Sequence, residues 1–375
     1  MKFSDMLKRE NFWQILEDTL NENSTHLGIR GETKVIEKGV ECTLYANAQL
    51  NAIVSAHPSK AVRNYLQTEY SVSGSLFRRM MVKIYLWAST NLVPYFAQKG
   101  IKIQFEDDID VNNILIYPCN KKIRIFDFKH GLVHTVLKKD FPDTYIVRET
   151  EFRKSHKESF IPQIDSSSKN YYSERIINGR PLARIYDEYF VKKCKNDAVQ
   201  MLISLTPSDN SVFVKDYIQS IKATSIDQLN QKAAFKNTDT VGLLFDWLLD
   251  VQDNERISLV YSHGDLQPGN IWYDDDNKKV VIIDWETIKM RSRFYDHAAL
   301  YYNLRREGTL QQVVECIKTS LHIARFTPQC SAASVAKVIL AEELAYQTEE
   351  LISFPNEIGI KEYNNVLDEY KNLSI

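Results

Sequence analysis

Along the first hundred residues, apolar positions recur at the helical spacing of three and four. Phe12, Ile15, Leu16 and Leu20 share one face. Residues 59–70 and 75–92 read the same way, divided by the turn residues Ser73 and Gly74, with Ser75 as an N-cap. Residues 32–44 mix β-branched positions with a glycine and admit a short strand or a loop. The period changes after the acidic stretch 106–110. Residues 114–117, 123–128 and 132–137 are short β runs with tight connections, which predicts an antiparallel meander. Residues 143–156 return to helical offsets behind Pro142. Residues 161–164 and 171–177 then read as two strands joined by the polar stretch 165–170, and Asn178, Gly179 and Pro181 stop the second. From 182 to 255 the pattern is helical, clearest at 241–251, where Leu244, Phe245, Leu248 and Leu249 form one face. Beyond Asp296, residues 313–323, 333–353 and 362–373 read as helices punctuated by Pro328 and Pro355.

Composition narrows the class. The chain has 375 residues, 44% hydrophobic and 26% charged, which fits a globular protein of two or three domains. A net charge of −2 leaves no polybasic footprint, so neither a nucleic acid nor a membrane is expected as partner. The longest apolar stretch, near 80–97, carries Lys83 and is broken at Pro94, too interrupted for a membrane span. Five dispersed cysteines without CxxC spacing argue for a reducing compartment and against a zinc site. The first twenty residues contain acids and no continuous apolar run, unlike a signal peptide, so a cytoplasmic location is expected.

The chemistry gathers in residues 262–286, SHGDLQPGNIWYDDDNKKVVIIDWE. Asp265 and Asn270 share a short loop. Asp284 follows the apolar run 280–283. Residues 271–273 and 280–283 flank a turn rich in Asp, Asn and Lys, the pattern of a β-hairpin, which folds its ends side by side. Two carboxylates and an amide oxygen brought together suit Mg²⁺, which takes few protein ligands and completes its shell with water and phosphates.

The run His263-Gly264-Asp265-Leu266-Gln267-Pro268-Gly269-Asn270 matches the protein-kinase catalytic loop H-R-D-L-x-x-x-N at His, Asp, Leu and Asn, with Gly in place of Arg. With the Ile283-Asp284-Trp285-Glu286 segment that follows, it resembles the aminoglycoside phosphotransferase and choline kinase family of small-molecule kinases. The resemblance is strong over 261–300, moderate over 132–180 and absent over 1–105. It implies an α+β, protein-kinase-like two-lobed fold, with a small antiparallel β lobe and connector at 109–180 and a helical lobe at 181–375. Residues 1–108 would be an additional, mainly helical extension, serving to shape the acceptor site, to dimerise or to dock a partner.

Carried over residue by residue, the resemblance makes Asp265 the base that deprotonates the acceptor hydroxyl and His263 a support for the loop backbone. Asn270 and Asp284 would hold Mg²⁺ against the phosphates of ATP or GTP. Lys138, at the end of the third strand, would pair with the α/β-phosphates, and Val136, two residues earlier on the same face, would border the nucleobase. A helix glutamate should hold that lysine: Glu149, or else Glu151. Residues 174–179, Glu174 and Ile176 among them, would present backbone groups to the base, and Asp296 would brace the catalytic loop. No G-x-G-x-x-G lies between the first two strands, where residues 118–122 read PCNKK. Asp284 is followed by Trp-Glu rather than Phe-Gly and no A-P-E follows, so a small-molecule acceptor (a sugar, polyol or amino alcohol) is expected over a protein. Lys192, Lys193 and Lys195 among the acids of 187–195 disfavour a polycationic antibiotic. The competing readings are a non-catalytic pseudokinase or scaffold and an atypical protein kinase.

Overall fold

The structure, a computed structural model, describes residues 3–39, 41–70, 76–206, 210–231, 237–306, 308–319 and 329–373. The expected turn at Ser73 and Gly74, the cap Ser75, the end of the expected helix 313–323 and the break at Pro328 lie outside the described residues. The chain is an α+β protein with antiparallel sheets, in two compact units: Met1–Val191 with Trp272–Glu286, and Lys192–Ile271 with Thr287–Ile375.

The first unit begins with α1 (Phe3–Arg9) and α2 (Phe12–Glu22), followed by β1 (Ile29–Ile36), β2 (Leu44–Asn47) and β3 (Ala52–Ser55). Helices α3 (Lys60–Glu69), α4 (Leu76–Asn91) and α5 (Val93–Phe96) intervene before β4 (Lys99–Phe105). Then come β5 (Ile114–Pro118), β6 (Lys122–Asp127), β7 (Leu132–Leu137), α6 (Thr144–Ser155), β8 (Ile164–Ser168) and β9 (Tyr171–Arg175). All nine strands form one sheet, in the order β1-β4-β2-β3-β5-β6-β7-β9-β8. Side-chain alternation gives the sheet two apolar faces. Ile53, Ile116, Ile123 and Val136 join Phe3, Met6, Phe12 and Leu16 of α1 and α2. Their neighbours Val54, Leu115 and Phe126 join Val62, Leu66, Leu86 and Val93 of α3 to α5.

This corrects the expected separation of residues 1–108 from the small lobe. The expected helices are present, but β3 pairs with β5 (Ile53 opposite Ile116, Val54 opposite Leu115), so the boundary would run through a continuous sheet. The strands escape pattern reading because β2 and β3 are only four residues long and buried at every position, so they show no alternation. A second correction falls at the far edge. The polar stretch expected as a turn at 165–170 supplies β8, an edge strand whose serines suit a single paired side.

The chain continues through β10 (Gly179–Pro181), α7 (Glu188–Ser204), β11 (Ser211–Phe213), α8 (Val214–Asn230), α9 (Thr238–Leu248) and β12 (Arg256–Ser262). The hairpin β13 (Ile271–Asp274) and β14 (Lys279–Ile282) forms where its pattern predicts, and β10 pairs with β13. Gly179 is required there, since a Cβ would lie 2.0 Å from the Tyr273 carbonyl oxygen. The second unit closes with β15 (Lys289–Ser292), α10 (Tyr295–Tyr301), α11 (Leu310–Thr319), α12 (Ala332–Ser353) and α13 (Glu357–Lys371). Its core surrounds α12, which is buried on almost every side, with Val335, Ile339 and Leu344 against Val214, Phe245 and Val314. Strand β11 interrupts what the pattern reads as continuous helix; it pairs with β12, which pairs in turn with β15, in a small sheet that leads into the His263–Asn270 loop. Among the described residues, no helix is long and apolar enough to cross a membrane.

Candidate active site

In the first unit, a cluster of buried ions lies between β6, α6 and the segment after β14. Lys122 opens β6, registered opposite Leu137 of β7. Cross-strand partners share a face, and Leu137 packs on Ile146 of α6. The Lys122 side chain is therefore directed to α6. Its Nζ lies 3.0 Å from Glu149 Oε2, 2.7 Å from Asp284 Oδ1 and 3.0 Å from Glu286 Oε2. Glu149 Oε1 also accepts from Arg153 Nη1 at 3.0 Å and the Tyr172 hydroxyl at 3.0 Å. Arg153 continues to Glu174, and Glu174 to Arg124 Nη2 at 3.3 Å. Burial disfavours the lysine's charge, but Asp284, Glu149 and Glu286 outweigh it and hold the Lys122 pKa well above its usual range. Burial likewise pushes Glu149 up, and Lys122 and Arg153 more than reverse it, so its carboxyl titrates low. Glu286 is different: burial dominates and its pKa is raised.

Asp284 has a left-handed backbone, φ +69°. That conformation is uncommon outside glycine, though short polar side chains tolerate it, and such strain is concentrated at working sites. Trp285 is wholly buried, its ring stacked on Phe152 and its Nε1 donating to Ile282 O at 2.7 Å. Beside the cluster, Tyr65, Phe126, Val133, Ile176, Trp272 and Ile283 line a cleft whose polar wall is Arg124 and Glu174.

In the second unit, backbone and side chains fix the loop after β12. Asp296, at the start of α10, accepts from the His263 N–H at 2.8 Å and the Gly264 N–H at 2.9 Å. Gly264 has φ +81°, and a Cβ there would meet Arg291 Nη1 at 2.4 Å and Thr287 O at 2.7 Å, so glycine is required on both counts. His263 is fully buried and its Nδ1 accepts from the Asp265 N–H at 3.3 Å. Arg305 Nη1 donates to Asp265 Oδ1 at 2.7 Å, and Arg305 also bonds the Gly264 carbonyl. Arg305 is held by the Tyr295 hydroxyl at 3.0 Å, by Glu343 at 3.5 Å and by the Tyr346 ring, 3.3 Å from its guanidinium. Asn270 Nδ2 donates to both Asp265 O at 2.9 Å and Asp265 Oδ2 at 3.0 Å. With its amide donors so used, Asn270 offers a metal its carbonyl oxygen.

Residues 206–325 match the model of the phosphotransferase enzyme family. That matched segment is similar to the family without spanning half of the chain. It holds the whole His263–Asn270 loop and Asp296. No curated protein matches the sequence. Among solved structures, the streptomycin–ATP ternary complex of APH(2")-IIa is similar at 14% identity and TM-score 0.46, over 71% of this chain and 93% of the other. Choline kinase from Cryptosporidium parvum is similar at 12% identity and TM-score 0.40, over 70% and 90%. Ethanolamine kinase from Plasmodium vivax is similar at 10% and 0.41, over 86% and 97%.

The expected pair of Lys138 with Glu149 does not form. Lys138 lies one residue past β7, on the strand face opposite to Leu137, and its Nζ meets Glu10 at 2.5 Å and Met6 Sδ at 3.6 Å. Val136 shares that face and is buried among Phe3, Phe12 and Ile123, not beside the cleft. Lys122, on the other face, is the lysine that meets Glu149. Of the two candidate glutamates, Glu149 is fully buried in the cluster and Glu151 is exposed. Glu174 and Ile176 line the cleft. Sequence reading passed over Lys122, Arg153, Glu286 and Arg305. The Lys-Lys pair of the PCNKK turn and the i,i+4 spacing of Glu149 and Arg153 were the available signals; Arg305 lies in no pattern.

The donors fit a hard cation in type, being carboxylate and amide oxygens. Among the described residues, no group of three or more His, Cys, Asp or Glu side chains is arranged to hold a metal. Carboxylate and amide oxygens are the donor types that Mg²⁺ commonly takes together with phosphate oxygens.

Proposed function

We propose that this protein is a small-molecule kinase that transfers the γ-phosphoryl group of ATP or GTP to a hydroxyl of a sugar, polyol or amino alcohol. The observation that carries the reading is Lys122, bound at once to Glu149 of α6 and to Asp284 after the hairpin. Phosphoryl transfer needs a fixed cation on the non-reacting phosphates, a carboxylate to hold it and an acid for the metal. The match of 206–325 to a phosphotransferase family supports the same reaction class.

In this mechanism the nucleobase enters the cleft lined by Phe126, Ile176 and Ile283, and Lys122 neutralises the α/β-phosphates. Asn270 and Asp284 would each offer an oxygen to Mg²⁺, which would supply charge neutralisation on the phosphates. Asp265 accepts the acceptor's hydroxyl proton, oriented by Arg305 and Asn270. The turn after β5 closes through Cys119 N–H to Lys122 O at 2.8 Å and has no glycine, so side chains rather than a backbone cradle cover the phosphates.

The test is nucleoside diphosphate release with ATP and with GTP across a panel of sugars, polyols and amino alcohols. Thermal shift with Mg-nucleotide, for wild type and Asp284→Ala, runs beside it. A nucleotide-dependent shift lost in the variant, with turnover on at least one alcohol, is expected. Wild type without any nucleotide-dependent shift would defeat the kinase reading.

A further inference from the structure

Helix α4 buries one side and leaves an apolar stripe on the other. Leu86 and Ser89 face the core with Val93 of α5. Outward, Phe77, Met80, Ile84 and Trp87 follow one another at i, i+3, i+7 and i+10, the spacing of one helical face. Leu76 is 85% exposed, Trp87 63% and Tyr95 of α5 81%. Nine of the thirteen exposed large apolar side chains among the described residues fall in 76–96. Isolated exposed apolar residues are ordinary, but a contiguous group of this kind marks an interaction surface.

Charge selects the partner. Residues 76–96 contain Arg78, Arg79 and Lys83 and no acid, although the chain as a whole carries −2. The overall balance that argued against a membrane partner averages over this segment. Arg79 and Lys83 are exposed beside the stripe. Further cations border it: Lys38 Nζ lies 3.4 Å from Tyr95 O, and Arg63 Nη1 lies 3.4 Å from Asn91 Oδ1. A second copy docked about a twofold axis would set these cations against themselves, with no acid in the segment to answer them.

We propose that α4 and α5 form a peripheral docking surface for an anionic lipid bilayer. The stripe lies at the acyl boundary, Trp87 and Tyr95 sit at headgroup level, and Arg79 and Lys83 meet lipid phosphates. The helix lies on the membrane and does not span it.

Co-sedimentation of the full chain with vesicles of phosphatidylcholine, alone or mixed with phosphatidylglycerol, tests this. Binding to the mixed vesicles, reduced by high salt, is expected. The pair Arg79→Glu with Lys83→Glu, and separately Phe77→Ser with Trp87→Ser, should each lower partitioning at least ~10-fold. These side chains are exposed, so unchanged thermal unfolding checks that the variants are folded. Brominated lipid should quench Trp87 fluorescence, and Trp87→Phe should remove that component. The proposal fails if the chain ignores anionic vesicles, binds neutral ones equally, or is unaffected by both variant pairs. It also fails if the stripe mediates dimerisation without lipid binding.

Discussion

Two buried lysines stand on opposite faces of the nine-stranded sheet, Lys122 opposite Leu137 in register and Lys138 the next residue, yet they are unlike in surroundings. Lys122 is set among Glu149, Asp284 and Glu286, and these acids hold its proton in spite of burial. Lys138 has one acid, Glu10, with Met6 and the Phe12 ring completing its surroundings, and burial wins, lowering its pKa. Burial is therefore no guide to role. A lysine ringed by three acids is kept charged, which is what the proposed phosphate contact requires. A lysine clasped by one acid in an apolar core fastens α1 and α2 to the sheet.

The largest expected effect sets the standard for judging the lysines. Asp265→Asn should lower kcat by ~10²–10⁴ and leave Mg-nucleotide affinity nearly intact, by steady-state kinetics and calorimetry. Lys122→Ala should cost about 10²–10³ in kcat and also weaken nucleotide binding, whereas Lys138→Met should change turnover by no more than about twofold, since it lies away from the cleft. A Lys138 variant that loses nucleotide while Lys122→Ala keeps it would reverse the comparison. Stability should separate the two sites by a smaller margin. Glu149→Ala takes one buried acid from both Lys122 and Arg153, which keep Asp284, Glu286 and Glu174, and should cost up to about 3 kcal/mol in denaturant titration. Replacing both members of the other pair, Lys138→Met with Glu10→Leu, should be neutral or stabilising by about 1–4 kcal/mol.

The subtlest contrast is in alkali. Between the lowered folded-state pKa of Lys138 and its usual value of 10.5, the unfolded chain keeps a proton that the folded chain has released. Stability attributable to Lys138 therefore rises with pH across that window. Lys122 has the opposite sign: its contribution is complete below 10.5 and is lost as pH climbs through its raised folded-state value. Unfolding titrations from pH 8 upward, an interval taken from the ordinary lysine range of about 10.4, should show Lys138→Met steepening the alkaline decline. A decline left unchanged would mean that Lys138 is not lowered.

The catalytic-loop sequence was readable because its residues are close in the chain: His263, Asp265 and Asn270 bond one another within eight positions. The hairpin was readable from its alternation. The lysine was not, because Lys122 and Lys138 both adjoin strand ends and only the register of β6 against β7 decides which faces α6. Parity at Leu137 is the deciding quantity, and one residue reverses it. Arg305 meets Asp265 across forty residues, with no local pattern to announce it. Strands β2 and β3 were obscured by completeness of burial, which erases the polar half of the β period.

One feature of that sheet bears on how the chain is made. Strand β4 lies between β1 and β2, although β1 and β2 come first and follow each other closely. During synthesis these two strands emerge with their proper neighbour still unmade, beyond α3, α4 and α5. Left together, they are free to close as a hairpin that the finished protein does not contain, and β4 must then part them to enter. Folding is expected to include a slow strand-insertion phase, since pairing distant in sequence waits on the loop between. Variants that weaken β4 would prolong a state with open strand edges, and their yield should fall through aggregation before any loss of activity per folded molecule.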